Sequence, residues 1–241
     1  MSRTARIGPV TALLAGVAAF AGIYVGVQAL RVWLFGHLHL TDNHAVVEAR
    51  ALTSIVLIWT TLGAIVLILR LRGQNLRDIG WGKRASVWGW LLAIVFTVLY
   101  CAFTFMGPML KGAPVLTDWS LFRIGTALTI GVSAGICEET IFRGFVMTQA
   151  QNARLHWTIQ IVLSAVLFGL AHVGWGGLAG HFDVWPMIAS MVATAILGTM
   201  LAVTYLAGGR SLMPVIAAHA VTDMVIEPWL LLYMISGGHA G

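Results

Sequence analysis

The chain has 241 residues, of which 59% are hydrophobic and only 10% are charged, and its mean hydropathy is +0.89. Soluble domains carry about 25% charged residues, so this composition excludes an ordinary soluble enzyme and predicts an integral membrane protein. The formal net charge of +5 is better explained by a sorting of basic residues between loops than by an acidic partner, and no nucleic-acid binding is expected.

Apolar runs long enough to cross a bilayer recur along the chain, and no polar stretch between them is long enough for a separate soluble domain. We therefore predict a single integral domain over residues 1–241 with an all-α fold, a polytopic bundle of seven transmembrane helices. The spans are placed at about 9–35, 50–69, 86–107, 121–151, 157–173, 184–207 and 212–235. The fourth run fits one long helix or a span followed by an interfacial turn, so eight helical pieces are the alternative.

Basic residues fall mainly on one side of this predicted bundle. Nine lie on one side, namely Arg3, Arg6, Arg70, Arg72, Arg77, Lys83, Arg84, Arg154 and Arg210. Four lie on the other, namely Arg31, Arg50, Lys111 and Arg123. Because positively charged loops stay in the cytoplasm, the bias predicts a multi-pass protein of the cell inner or plasma membrane with a cytoplasmic N-terminus. The stretch from Gln74 to Arg84 suits an interfacial segment on the anionic leaflet or a plain basic loop.

The fourth predicted span contains Glu138, Glu139 and Arg143. A charged group inside a span costs about 3 kcal/mol or more, so such groups usually face the bundle interior and mark a functional site. Glu139 and Arg143 are four residues apart on one helix face and can pair, whereas Glu138 is turned about 140° from that arginine. The free Glu138 carboxylate is a candidate general base. An inert helix-to-helix clamp is the alternative.

His172 ends the next span, four residues after Phe168, and glycines at 174, 176 and 177 indicate that the helix ends just beyond it. If the chain turns at about residues 151–156, Glu138 and His172 lie roughly 20 and 22 Å from the same turn at 1.5 Å per residue. An antiparallel hairpin then brings both side chains to one level. Taken alone, His172 could instead be an ordinary interfacial residue.

His219 and Asp223 share one face of the last span, which begins near Pro214, a residue suited to a first helical turn. A local hydrogen bond between the two side chains is the plain alternative. The free carboxylate, two imidazoles and Asp223 together supply groups for activating water and stabilising an oxyanion, so amide hydrolysis is expected. A zinc site is the alternative, although no His-Glu-x-x-His pair occurs. Serine chemistry has less support, since Ser164 lies in no nucleophile elbow.

These fragments resemble the CAAX prenyl protease and bacteriocin-processing family of intramembrane glutamate peptidases. The sequence Glu138-Glu139-Thr-Ile-Phe-Arg143 matches its Glu-Glu-x-x-x-Arg motif, and Phe168-x-x-x-His172 and His219-x-x-x-Asp223 match the second and third motifs in order. The motifs lie within residues 138–223. The first three spans match the family only as apolar runs.

The resemblance implies a peptidase that uses no metal and no cofactor. In that family picture Glu138 and His172 activate water, His219 and residue 223 stabilise the oxyanion, and Glu139, Arg143 and Phe168 support the site. Prenyl-protein proteases carry Asn at the position of Asp223, whereas many bacterial relatives carry Asp. An ionised carboxylate cannot donate to an oxyanion, so Asp223 is either protonated or orients His219, and we favour the second role.

The predicted function is intramembrane endopeptidase cleavage of a membrane-associated peptide or protein. The expected partners are the lipid bilayer and that substrate, for which a prenylated C-terminal tail, a bacteriocin leader and another membrane peptide are alternatives that the sequence does not separate. The family also contains members linked to bacteriocin immunity or membrane scaffolding, so a non-catalytic scaffold or immunity protein is the alternative. A proton-coupled transporter is a third reading, although no inverted repeats with broken spans are found.

Overall fold

A computed structural model of the protein describes residues 7–38, 43–110, 121–173 and 184–235. Every regular element in these ranges is a helix, so the predicted all-α class is confirmed. The elements are α1 (Pro9–Leu38), α2 (Asn43–Leu71), a 3-10 turn (Leu76–Ile79), α3 (Val87–Leu110), α4 (Leu121–Glu139), a π segment (Thr140–Val146), α5 (Met147–Asn152), α6 (Trp157–Ala171), α7 (Val184–Ala207) and α8 (Leu212–Ile235).

The helix ends agree with the predicted apolar runs to within about three residues, except that α2 begins at Asn43 and not at about residue 50. The long run at about 121–151 is one helical stretch in which the π segment separates α4 from α5. A π segment adds an extra residue to a turn and is often found at functional sites. The glycines at 174, 176 and 177 lie outside the described residues, but α6 does end at Ala171, with His172 as its C-cap.

Hydrophobic surface on the outside of the bundle indicates a membrane protein. Within the described ranges, four helical stretches are long and apolar enough to cross a bilayer, namely Pro9–Leu34, Leu52–Leu71, Val87–Met106 and Met187–Ala207. Large apolar side chains on their outer faces are exposed, including Val25 at 67% and Trp88 at 68%. Glu139, Arg143 and Gln149 are instead fully buried. Apolar side chains outside and polar side chains inside are what a helical bundle surrounded by lipid requires. The count of seven or eight spans stays a prediction.

The pairing of α4 with α8 depends on glycines at the helix contact. A Cβ on Gly135 would lie 2.8 Å from the carbonyl oxygen of Ile216, and one on Gly131 would lie 2.8 Å from that of Ala220. Small residues allow helix backbones in membranes to approach closely. The glutamates at the end of α4 are thereby brought against α8, the helix that carries His219.

The 3-10 turn is an ordered element and not a plain loop. The Asn75 side chain caps it by accepting from the backbone N–H of Arg77 (2.9 Å), and Asp78 accepts from the Asn75 N–H (2.7 Å). Tyr205 on α7 donates its hydroxyl hydrogen to the carbonyl oxygen of Ile79 (3.0 Å). The indole of Trp81 donates to Thr140 Oγ1 (3.0 Å), which fixes the turn against the π segment.

Candidate active site

The predicted site residues lie in one cluster where α4 and its π segment meet α6 and α8. They are Glu138, Glu139, Arg143, Phe168, His172, His219 and Asp223. Each is joined to at least one of the others by an ion pair or a ring contact. Residues that lie up to 85 positions apart in the sequence therefore form one site. The site has two layers of side chains: one is buried inside the protein, and the other is partly exposed.

The sealed layer is built on the carboxylate of Glu139. Its Oε1 accepts hydrogen bonds from Arg143 Nη1 at 2.7 Å and from His219 Nδ1 at 2.6 Å. Arg143 also donates through Nη2 to the carbonyl oxygen of Gly198 on α7, at 2.9 Å. The side chains of Glu139 and Arg143 are 0% exposed and that of His219 is 3% exposed. The predicted pairing of Glu139 with Arg143 is thus confirmed, and it holds α4, α7 and α8 together.

Phe168 forms a platform for both layers. The Arg143 guanidinium lies over its ring, 4.5 Å from the centroid, which is a cation–π contact. The ring also packs against the imidazoles of His172 and His219, with centroid distances of 4.7 and 5.6 Å. The Phe168 carbonyl oxygen lies 2.8 Å from His172 Nδ1. The four-residue spacing of Phe168 and His172 therefore serves both packing and hydrogen bonding.

The partly exposed layer contains Glu138 and His172. His172 Nδ1 must carry a hydrogen, because its partner is a carbonyl oxygen that only accepts. In the neutral imidazole this leaves Nε2 as a basic nitrogen, and Nε2 lies 3.8 Å from Glu138 Oε2. These side chains are 17% and 14% exposed. The separation exceeds a direct hydrogen bond, so the two acceptors face each other across a space that a small donor could bridge.

Asp223 lies at the open side of His219. Its Oδ2 is 3.4 Å from His219 Nε2, and its side chain is 17% exposed. Since Nδ1 of His219 donates to the Glu139 carboxylate, Nε2 is the nitrogen that remains for chemistry. The local His219–Asp223 contact expected from their spacing is present. At 3.4 Å, the contact with Asp223 holds Nε2 less tightly than the 2.6 Å hydrogen bond to Glu139 holds Nδ1.

The cluster contains three carboxyl groups, one guanidinium and two imidazoles. With all three carboxyls ionised and both imidazoles neutral, it would carry a net charge of −2, since one guanidinium offsets one carboxylate. Charge in a low-dielectric interior is expensive, so two further protons held within the cluster would bring it to neutrality.

Residues 118–225 match the family described as Type II CAAX prenyl endopeptidase Rce1-like. This segment of 108 residues, a little under half of the chain, is similar to that family. The resemblance inferred from the three motifs is therefore confirmed, and the whole cluster lies within the Rce1-like segment. No curated protein and no solved structure gives a significant match to the chain.

The family is a protease family, so the Rce1-like segment supports a hydrolase that acts on a peptide or protein. Helices α1 to α3 lie outside the matched segment. In the described part of the chain, no group of three or more His, Cys, Asp and Glu side chains has an arrangement that could hold a metal ion. The predicted absence of a metal is left to the chelation experiment below.

Several contributors to the Rce1-like site were not predicted from sequence. The Gly198 carbonyl belongs to the backbone of an apolar helix, and no sequence pattern marks it. Ser164 donates to the carbonyl oxygen of Phe142 at 3.1 Å, which satisfies a group within the π segment. Trp81 fixes Thr140, the residue that follows Glu139. The interfacial composition around Trp81 could have indicated a role at the membrane surface, but not this contact.

Proposed function

We propose that the chain is an intramembrane endopeptidase that hydrolyses a peptide bond in a membrane-associated peptide or protein. The observation that carries the proposal is the 3.8 Å separation between Glu138 Oε2 and His172 Nε2 at the partly exposed edge of a sealed cluster. A water molecule between them would donate one hydrogen to the carboxylate and one to the imidazole. Its oxygen lone pairs would then point away from both groups and toward a bound substrate.

In the proposed reaction the water oxygen attacks the scissile carbonyl carbon while Glu138 takes a proton from that water. A new carbon–oxygen bond forms, and the carbonyl electron pair moves onto the oxygen to give a tetrahedral oxyanion. When the intermediate collapses, the carbon–nitrogen bond breaks and the proton held at Glu138 passes to the leaving amine. His172 would orient the water and assist the transfer. No metal is required at any of these steps.

His219 is the proposed oxyanion donor. Its Nδ1 is fixed by Glu139, so Nε2 lies on the side of the ring that faces the partly exposed Asp223. As an imidazolium, His219 would donate from both nitrogens, and Asp223 would hold the Nε2–H until an oxyanion takes its place. A preorganised donor of this kind contributes about 10²–10³ in rate. The proposed role of His219 as oxyanion donor rests on the hydrogen bond between its Nδ1 and Glu139, and it does not depend on the protonation of Asp223.

Substitution of Asp223 separates its two possible roles. Asp223→Asn keeps an oxygen that accepts from His219, so we expect kcat within about tenfold of the wild type, whereas Asp223→Leu should lower kcat by about 100-fold or more. The measurement is kcat of both variants and of the wild type at one pH. If Asp223 orients His219, the Asn variant keeps most of the activity and the Leu variant loses it. A kcat of the Asn variant above that of the wild type would instead indicate that the residue at this position donates to the oxyanion.

An apolar cavity beside the cluster supports a substrate with a hydrocarbon part. The cavity has a volume of about 260 Å³ and lies between α1, the π segment and α6. Phe142 lines it and also packs against Phe168 with a centroid distance of 5.2 Å. Leu170 and Ala171, which precede His172, form another wall. We propose that a lipid anchor or a large apolar side chain of the substrate occupies this cavity, a prenylated tail being one such substrate.

Filling the cavity should affect anchored substrates only. Ala21 lines the cavity from α1 and is exposed, so Ala21→Trp would place an indole in its mouth. We expect kcat/KM to fall about tenfold for a lipid-anchored peptide, the effect of excluding roughly two methylene groups. The same peptide without an anchor should be unaffected. Leu14→Trp, at a 64% exposed position of α1 that does not line the cavity, is the matched control. Equal losses with both peptides would contradict the assignment.

The proposal also includes the number of membrane spans and the orientation of the chain in the membrane. We propose seven spans in a single domain over residues 1–241, with the N-terminus in the cytoplasm. The support comes from the basic residues of the connections, although Arg3, Arg6 and Lys111 lie outside the described residues. The 3-10 turn and Arg210 lie on the same side as the start of α1, because Arg72 Nη1 donates to the carbonyl oxygen of Ile7 at 2.7 Å and Tyr205 contacts Ile79.

The experiment that tests the function uses purified protein in detergent and a panel of fluorogenic membrane peptides with and without lipid anchors. The wild type should cleave at least one panel member, and cleavage should persist under strong chelation. His172→Ala should lose most of the activity, whereas Ser164→Ala, which removes a buried hydroxyl from the same helix, should keep it. No cleavage of any member would favour a scaffold or immunity protein, and activity abolished by chelation would favour a metalloenzyme.

A further inference from the structure

Arg70 and Arg77 differ from two neighbouring arginines, Arg72 and Arg210, whose side chains are held by hydrogen bonds within the protein. Arg72 donates to the Ile7 carbonyl and to Gln74 Oε1 (2.8 Å), and Arg210 donates to Gln160 Oε1 (2.6 Å). The side chains of Arg70 and Arg77 are exposed and make no hydrogen bond or ion pair with any residue that the structure describes. Two guanidinium groups are therefore available to an external anion on the same side of the molecule.

Arg70 and Arg77 face a common cleft. The last turns of α2 and the 3-10 turn enclose a volume of about 520 Å³. Its polar lining comes from Arg70, Gln74, Asn75 and Arg77. Its apolar lining comes from Val66, from Leu69, which is buried, and from Leu76, which is 39% exposed. Val66 lies one turn before Arg70, about 6 Å further along the helix axis toward the hydrophobic part of α2. The cleft is thus basic at one end and apolar at the other.

The position of the cleft matches the boundary of the bilayer. Leu52–Leu71 of α2 is long and apolar enough to cross a membrane, so Arg70 lies at the end of a candidate span. Leu67 and Leu71 beside it are each 58% exposed and present hydrocarbon outward. A ligand in this cleft would have its charged group at the polar interface and its apolar part beside the lipid chains.

We propose that this cleft binds an anionic phospholipid, with Arg70 and Arg77 on the phosphate and Val66 against the start of an acyl chain. Guanidinium groups match phosphate oxygens in geometry and charge. The apolar end and the adjacent exposed leucines favour a lipid over a free phosphate, which would leave that end unoccupied. The proposal does not depend on the proposed peptidase activity.

The turn that carries Arg77 is already fixed. The Asn75–Asp78 cap orders its backbone, and Tyr205 and Trp81 attach it to α7 and to the π segment. A binding group on an ordered turn loses less conformational entropy when a ligand arrives. This preorganisation distinguishes the cleft from a flexible basic loop, which would attract an anionic surface without a defined site.

The test is lipid binding by delipidated protein in neutral detergent. Binding of phosphatidylglycerol and of phosphatidylcholine is measured by native mass spectrometry for the wild type, for R70Q/R77Q and for K83Q/R84Q, which removes two exposed charges outside the cleft. We expect phosphatidylglycerol to bind the wild type in preference to phosphatidylcholine. Each guanidinium removed from the cleft should weaken binding about fivefold, so the double variant should bind about 25-fold more weakly. The K83Q/R84Q control should bind as the wild type does.

Each other result would overturn the proposal. Equal weakening by both double variants would mean diffuse attraction and no defined site. Equal binding of phosphatidylcholine would mean that charge is not recognised. Competition by glycerol phosphate as strong as by phosphatidylglycerol would assign the cleft to a soluble anion. Thermal unfolding of each variant and the single substitutions R70Q and R77Q check that lost binding is not lost folding. Peptide cleavage is not among the readouts, so a failure here leaves the peptidase proposal to its own test.

Discussion

Replacing Glu138 with glutamine should abolish hydrolysis while the bundle stays folded. The amide has nearly the same shape as the carboxylate, but it cannot take a proton from water at neutral pH. General base catalysis contributes about 10²–10⁴ in rate, so kcat should fall by that factor. Glu138 is not part of the sealed Glu139–Arg143–His219 layer, and its side chain is 14% exposed. The unfolding temperature in detergent should therefore stay close to that of the wild type.

The control for this substitution is Ser164→Ala. Ser164 is as buried as the sealed layer and lies on the His172 helix, but its hydroxyl is used by the Phe142 carbonyl. Losing one neutral hydrogen bond costs about 1 kcal/mol of stability and should leave kcat unchanged. Activity that survives in Glu138→Gln and disappears in Ser164→Ala would replace the water mechanism with a serine nucleophile.

Replacing Arg143 with methionine should have the largest effect on stability. Arg143 is fully buried, and its loss leaves His219 as the remaining partner of the Glu139 carboxylate among the described residues and removes the donor to Gly198. Breaking one side of a buried ion pair costs about 3–5 kcal/mol, because the remaining charge is left uncompensated. Unfolding of the variant in mixed detergent micelles measures this change in free energy. Arg84→Met, at an exposed position, should change stability by less than about 0.5 kcal/mol.

A second substitution shows whether the charge or the shape of Arg143 is responsible. In Glu139→Gln/Arg143→Met no buried charge remains at these two positions, and the glutamine oxygen still accepts from His219. About half or more of the lost stability should return, since replacing both members of a buried pair is far less costly than removing one. A double variant as unstable as Arg143→Met alone would mean that packing on Phe168 and the Gly198 contact outweigh the charge.

The sequence predicted the helices and the contacts within each helix. Apolar run length sets where a chain can cross a bilayer, so the helix positions follow from hydropathy alone. The pairs Glu139–Arg143 and His219–Asp223 follow from a four-residue spacing. The helical rise and the position of the connecting turn predicted that Glu138 and His172 lie at the same depth in the bundle. Their side chains do lie close together, with Glu138 Oε2 3.8 Å from His172 Nε2.

Contacts between distant helices could not be read from the sequence. Glu139 lies 80 residues from His219, and their hydrogen bond depends on how closely α4 approaches α8 at Gly131 and Gly135. The π segment changes the direction of side chains after Glu139, and no residue in it is a known marker of such a segment. The role of the Phe168 ring also required coordinates, because it depends on Arg143 and His219 reaching the same side chain.

The most direct test of the central claim is single-turnover cleavage in water enriched in the heavy oxygen isotope, with a chelator present and with mass spectrometry of both peptide and protein. We expect one heavy oxygen in the new carboxylate of the product, no covalent adduct on the protein at any time, and product formation by Glu138→Gln that is about 10²–10⁴ times slower than by the wild type. A peptide adduct on the chain, a reaction that stops with the chelator, or normal turnover by Glu138→Gln would contradict it.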